Sequence, residues 1–283
     1  MPTTILVLGA TGRTGRRVVS VLAEQGHTVR AASRTPRSAH GPVTPVHFDW
    51  TDPATYRPAI DGVDAIYQVL QPDSADPTDE VAALLDDAAA VGVRRVVHVS
   101  NTTAHLSGED FPMHRVERLL ETGPVPATIL RPNVFDENFS EHPTIVAGIR
   151  AGVVAVPAGQ ARVAPISVED IAAVAAAALT QDGHQHKTYS LTGPDSLSFA
   201  DMTAIVADAA GKPVRYQAIT PTEFREAILA GGAPAHIAEF YAIMYEGIRN
   251  GWAADVSADV EQITGRPPVS FGDYVRATAP VWR

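Results

Sequence analysis

The sequence predicts an α/β protein with a doubly wound parallel sheet and a smaller, mostly helical C-terminal lobe. Two observations predict it. Short apolar runs, mostly of 4–6 residues and rich in β-branched side chains, recur through the first 135 residues, the pattern of strands buried on both faces. Segments of helical periodicity separate them. Strand, helix, strand in alternation requires right-handed crossovers and leads to one parallel sheet with helices on both faces. The expected division is a domain over residues 1–135 and a lobe over 136–283 that contributes late strands to the sheet.

The first run, Ile5 to Leu8, leads into Gly9-Ala-Thr-Gly12-Arg-Thr-Gly15 and a helix from Arg16 to Gln25. Thr28 to Ala32 and Val46 to Phe48 are the second and third strands. Asp52-Pro53 has the form of an N-cap followed by proline at the first helical position. Ala65 to Leu70 is the fourth strand. Val81, Leu84, Leu85, Ala88 and Val91 mark one face of the next helix at 3.6-residue spacing. Val96 to Ser100 and Ala127 to Arg131 complete the six. In the second half, Ser167 to Asp170 opens an apolar helix running through Leu179, and Thr188 to Leu191 reads as a strand. Ser198 to Asp201 and Thr220 to Glu223 are capping boxes. Ala235 to Asn250 and the segment after Ser270 have helical patterns.

Composition narrows the function. The 283 residues carry 22 Lys+Arg against 32 Asp+Glu, a net charge of −10, and no cysteine. The missing cysteines exclude disulfides, Cys-ligated metal and thiol catalysis. The net charge argues against a general nucleic-acid or anionic-membrane surface. No run reaches the roughly 18 apolar residues of a membrane span, and the N-terminus lacks the pattern of a secretory signal. The expectation is a cytoplasmic protein acting on a small molecule, with no nucleic-acid or membrane partner. His184-Gln-His186 has loose metal spacing, but it sits in a polar turn with no third ligand nearby and is read as a solvated loop, so no metal is expected.

The glycine-rich loop between first strand and first helix is the strongest motif. Gly9 permits a tight turn, Gly12 lets the backbone approach a pyrophosphate, and Gly15 allows close helix–strand packing. Phosphates on such a loop meet the N–H groups and dipole of the helix N-terminus. The pattern is that of a Rossmann-like dinucleotide site, with Thr11, Arg13 and Thr14 completing the loop. The second strand ends in Ser33-Arg34, where a site for an unphosphorylated ribose would carry an acid. Arg34, with Arg13 and Arg37 nearby, is suited to a 2′-phosphate, so the expected cofactor is NADP(H); a solvated loop cation is the plainer reading of Arg34. The other strand ends face the same crevice: Asp49 and Trp50 for adenine, Leu70, Gln71 and Pro72 for ribose and pyrophosphate, Ser100 and Asn101, and Pro132 and Asn133 near the nicotinamide.

With the Gly9–Gly15 loop, Phe48-Asp-Trp50, Val97-His-Val-Ser100, Ile129-Leu-Arg-Pro-Asn133, Glu137-Asn-Phe139, Pro165-Ile-Ser-Val-Glu-Asp-Ile171 and Thr264-Gly-Arg-Pro-Pro-Val-Ser-Phe271 on the page, the chain resembles the NmrA-like branch of atypical short-chain dehydrogenases/reductases over nearly its whole length. The resemblance implies an NADP(H) fold. It also implies one of two activities: NADPH-dependent reduction of a quinone, iminium ion or activated alkene or carbonyl, or redox sensing without chemistry, the latter with a homodimer or a protein partner. The wider dehydrogenase family uses Tyr-x-x-x-Lys, whose tyrosine is the general acid. Only Lys187 and Lys212 are lysines, and none of the seven tyrosines has lysine four residues on. A substrate needing little acid help is therefore expected, with His114 as the candidate catalytic residue, orienting the carboxamide or donating a proton. Phe135, Phe139, Ile166, Tyr241, Tyr245 and Trp252 are candidate apolar substrate walls from the C-terminal lobe, or else core of that lobe.

Overall fold

The computed structural model describes residues 2–36, 41–70 and 74–282. In chain order the elements are β1 (Thr4–Val7), α1 (Arg13–Glu24), β2 (Thr28–Ser33), β3 (Val43–His47), α2 (Tyr56–Ile60), β4 (Ala65–Val69), α3 (Thr78–Val91), β5 (Arg95–Val99), α4 (Pro112–Thr122), β6 (Ala127–Pro132), α5 (Pro143–Ala151), β7 (Val153–Val156), β8 (Arg162–Val163), α6 (Val168–Thr180), β9 (Lys187–Leu191), β10 (Leu197–Ser198), α7 (Phe199–Ala210), β11 (Arg215–Ala218), α8 (Pro221–Ala230), α9 (Ala235–Arg249), α10 (Asp259–Thr264) and α11 (Phe271–Thr278).

A seven-stranded sheet runs in the order β3-β2-β1-β4-β5-β6-β9. The pairings from β3 across to β6 are all parallel. The order reverses at β1, which lies between β2 and β4, and that reversal is where an open α/β sheet leaves a crevice outside its strand ends. One face of the sheet, with Leu6, Leu8, Ile66, Val96 and Ile129, packs on Tyr56, Ala59 and Ile60 of α2, Val81, Leu84, Leu85 and Ala88 of α3, and Val116 and Leu120 of α4. Helices α1 and α6 pack together, and Arg17 Nε donates to Glu169 Oε1 at 2.7 Å between them. The doubly wound fold expected from the alternating runs is the fold observed.

Local chemistry explains the elements. The expected apolar face of α3 is buried at Val81, Leu84, Leu85 and Ala88, and the helix ends at Gly92 in the left-handed region (φ +84°), where glycine bears no Cβ penalty. Both capping boxes form: Ser198 with Asp201 opens α7, and Thr220 with Glu223 opens α8. Most boundaries shift by a residue, and three details stand out. Helix α1 starts at Arg13, because Gly12 is its N-cap. Asp52 is the N-cap with Pro53 in first position as expected, but the turn it opens, Pro53–Thr55, is 3₁₀ and leads into the short α2. Strand β3 begins at Val43 despite Pro45; it is the sheet edge, where a missing N–H costs no ladder bond.

The chain forms two compact units. The first comprises Met1–Asn101, Gly108–Arg131 and Val168–Tyr189; the second comprises Thr102–Ser107, Pro132–Ser167 and Ser190–Arg283. The second unit has its own core, with Phe139, Phe199, Tyr245, Phe271 and Trp282 among its buried side chains. It contains a parallel pair, β7 with β11, and an antiparallel pair, β8 with β10. Neither pair, nor α5, was apparent in the sequence. Among the described residues no helix is long and apolar enough to cross a membrane.

Candidate cofactor site

The glycine loop shows why each of its glycines is needed. Gly9 sits at φ +66°, and a Cβ there would lie 2.7 Å from Val69 Cγ1. A Cβ on Gly15 would lie 2.2 Å from the Gly9 carbonyl oxygen and 3.0 Å from Ala10 Cα. The loop is therefore folded tightly against the start of α1, with the Gly12 N–H donating to the Gly9 carbonyl at 2.8 Å. Gly12 has no side chain to cap α1, and the first turn carries no acidic residue. A helix of 12 residues with this N-terminus presents positive dipole and amide donors to an anion, with no carboxylate in its own first turn. Thr11 and Gly12 are exposed, Arg13 is partly so, and Thr14 and Gly15 are buried. These residues fit the pyrophosphate of a dinucleotide.

Arg34 is exposed just beyond β2. Beside it, at the end of β3, Asp49 holds its carboxylate through the Thr51 N–H (2.9 Å) and hydroxyl (2.8 Å). Those hydrogen bonds, then the Arg34 and His47 charges, lower its pKa below the usual aspartate value. Trp50 is partly buried, edge-on to Phe48 (5.0 Å between ring centroids) and to Tyr56 (6.0 Å). The Tyr56 hydroxyl donates to the Trp50 carbonyl at 2.6 Å. Leu70 packs partly buried against the sheet core. Arg37, Gln71 and Pro72 lie outside the described residues.

At the end of β5, Ser100 is buried and its N–H donates to the Leu130 carbonyl at 2.8 Å. The Asn101 side-chain amide lies 3.0 Å from Met113 Sδ. His114, in the first turn of α4, is partly buried, with Nδ1 3.0 Å from the Gly108 carbonyl oxygen. A carbonyl only accepts, so Nδ1 carries the proton, and any proton passed onward sits on Nε2 of the imidazolium.

The remaining sequence candidates belong to the second unit. Pro132 is buried. Asn133 is buried, donating to the Ala253 carbonyl at 2.9 Å and accepting from the Val134 N–H at 2.8 Å. Phe135 bridges to Ile166, which is fully buried. Phe139 is also fully buried, edge-on to Phe271 at 5.1 Å. Tyr245 is buried against Phe224 at 5.0 Å, and burial raises its hydroxyl pKa well above the usual tyrosine value. Trp252 is partly exposed and packs against Gly247, where a Cβ would lie 2.9 Å from its Cε3.

Both lysines are placed by this fold. Lys187 opens β9 beside the start of β6, where the His186 N–H donates to the Ala127 carbonyl. At about 3.3 Å per residue, that is roughly 13 Å from the carboxyl end of β9. Lys212 follows α7, its Nζ 3.4 Å from the Arg150 carbonyl oxygen. The structure also brings together a group not apparent as a unit in the sequence: Gln68, His98, Glu117 and Arg131. Glu117 is fully buried and receives Arg131 Nε at 3.1 Å and Nη2 at 2.6 Å. Its signal was polar residues inside otherwise apolar strand runs.

Comparison with known proteins gives a consistent picture. The profile of the NmrA-like family matches residues 1–262. The (4-alkanoyl-5-oxo-2,5-dihydrofuran-3-yl)methyl phosphate reductase of Streptomyces griseus subsp. griseus is 37% identical over 278 residues, covering 95% of this chain and 96% of its own. The NAD(P)H azoreductase of Xenophilus azovorans is 32% identical over 286 residues, covering 97% and 98%. The crystal structure of the Escherichia coli NADPH-dependent quinone oxidoreductase complexed with NADPH superposes with a TM-score of 0.84, at 24% identity, over 96% of this chain and 98% of that one.

Proposed function

The chain belongs to the NmrA-like family, and we propose that it is a reductase passing a hydride from NADPH to a small electrophile (a quinone, an iminium ion, or an activated alkene or carbonyl) without a tyrosine–lysine pair. Two relatives that align over nearly their whole length are reductases by name, one of them using NAD(P)H. The observation that carries the reading is the loop Gly9 to Gly15, uncapped at α1 and free of acidic residues in its first turn, with cationic Arg34 at the end of β2.

In this reading the first-turn amides of α1 bind the pyrophosphate, and Gly9, Gly12 and Gly15 keep that approach open. Arg13 and Arg34 take the 2′-phosphate, Arg34 being drawn from the neighbouring Asp49 carboxylate by the larger charge. Asp49 and Trp50 are assigned to the adenine, Leu70 to the ribose and pyrophosphate together with Gln71 and Pro72 outside the described residues, and Ser100, Asn101, Pro132 and Asn133 to the nicotinamide side. When bound, NADPH supplies the hydride. His114 holds its Nδ1 proton on the Gly108 carbonyl and offers one from Nε2 when cationic. Electrophiles that need little acid help suit a chain whose Lys187 stands at the amino end of β9 and whose Lys212 follows α7.

Titration calorimetry with NADP⁺ and NAD⁺ tests the cofactor assignment. The expected result is tighter binding of NADP⁺, with Arg34→Ala narrowing the gap. Equal affinities in the unmodified protein would overturn it.

A further inference from the structure

The sheet face under α4 carries two buried polar side chains, Gln68 and His98, that the proposed reaction does not use. Gln68 on β4 is in register with His98 on β5, which is in register with Ile129 on β6. Ile66 and Val96, two residues earlier on the same strands, belong to the apolar cluster beneath α2, α3 and α4. Strand alternation places Gln68 and His98 on that same face. Both are fully buried. Among the described residues, Gln68 Oε1 and Nε2 and His98 Nδ1 and Nε2 all lack a hydrogen-bond partner, as does Ser100 Oγ two residues beyond His98.

In protein interiors nearly every buried polar atom is paired, with protein or with ordered water. The surroundings restrict what can pair them. Glu117 of α4 acts on His98 electrostatically, but both its oxygens are engaged by Arg131. That ion pair balances its own charge, and Val96, Val116, Leu120 and Ile129 are buried in the apolar cluster on the same side of the sheet. A charged ligand would be stranded there. The partner must be small and neutral, and it must both donate to an imidazole nitrogen or amide oxygen and accept from an amide or ring N–H.

We propose that Gln68, His98 and Ser100 form an internal hydration site that binds one or two water molecules under α4. One water bridges the Gln68 amide to the His98 ring, and the site extends toward Ser100 Oγ at the end of β5. Buried waters in such sites typically make about three hydrogen bonds, which these atoms supply.

A crystal structure of the full chain without added dinucleotide tests the site, at a resolution that shows ordered water. The expected result is a water within about 3.2 Å of both a Gln68 amide atom and a His98 ring nitrogen. A direct Gln68–His98 hydrogen bond with no water, or a dry site, overturns the proposal. The variants Gln68→Leu, His98→Leu and the double variant give a second readout. Each single change should lower Tm, and the double change should lower it by less than the sum, because the shared water is lost only once. Additive losses overturn the proposal. If the variants do not fold, water–protein cross-relaxation in the NMR spectrum of the unmodified chain replaces them: a long-lived water contacting the His98 ring protons is expected, and its absence is contradictory.

Discussion

His98 shows how a single side chain sets a pH response. Complete burial lowers its pKa from 6.5 to about 4, against a smaller opposing pull from the Glu117 carboxylate. Its folded form is therefore neutral where the unfolded chain is protonated. The stability this contributes is fully present above pH 6.5 and is lost as pH falls toward about 4. By linkage that loss amounts to roughly 3 kcal/mol. Urea unfolding at a series of pH values should show the decline in the unmodified chain and a shallower one in His98→Phe; parallel curves would contradict the assignment. Arg34 acts through charge at the surface. Losing a charge-assisted contact to a phosphate is worth about 1.5–3 kcal/mol, so Arg34→Ala should weaken NADP⁺ binding by one to two orders of magnitude and leave NAD⁺ nearly unchanged, by calorimetry. Gly15 admits no side chain. Gly15→Ala forces its Cβ onto the Gly9 carbonyl, so thermal melts should show a fall in Tm together with loss of dinucleotide binding.

At the scale of elements, legibility followed the periodicity. The face of α3, the capping boxes at Ser198 and Thr220, and the strand at Thr188 were readable because each is specified by residues within a few positions of one another. The glycine loop was readable for the same reason. The pairs β7–β11 and β8–β10 were not, since each joins strands of 2–4 residues that are far apart in the chain. The buried group of Gln68, His98, Glu117 and Arg131 was likewise hidden, because only register between strands and the packing of α4 unite it. Glu117 ties α4 to β6 through Arg131. Removing one partner of such a pair leaves a largely buried charge, so Glu117→Ala should cost roughly 3 kcal/mol in chemical unfolding. Within the second unit, α9 meets the segment Thr102–Ser107 where Gly247 faces Thr103 Cγ2, 2.9 Å from the position of an added Cβ. Gly247→Ala should destabilise by about 1–3 kcal/mol through overpacking, again by chemical unfolding.

The whole molecule carries an acidic net charge of −10, and in the proposed reading Arg13 and Arg34 supply positive charge for one phosphate. Such a balance disfavours polyanions as partners while admitting one phosphorylated dinucleotide. With no cysteine, the chain has no thiol chemistry of its own. In the proposed reading this family member performs hydride transfer and does more than bind its dinucleotide. Its most direct test is NADPH consumption by the purified chain with a panel of quinones, cyclic iminium ions and activated alkenes, with the reduced product identified. Consumption should match product formation with at least one class, and deuterium from 4-deuterated NADPH should appear in the product where the hydride is delivered to carbon. Tight NADP(H) binding without turnover of any class would contradict it and leave a redox sensor in its place.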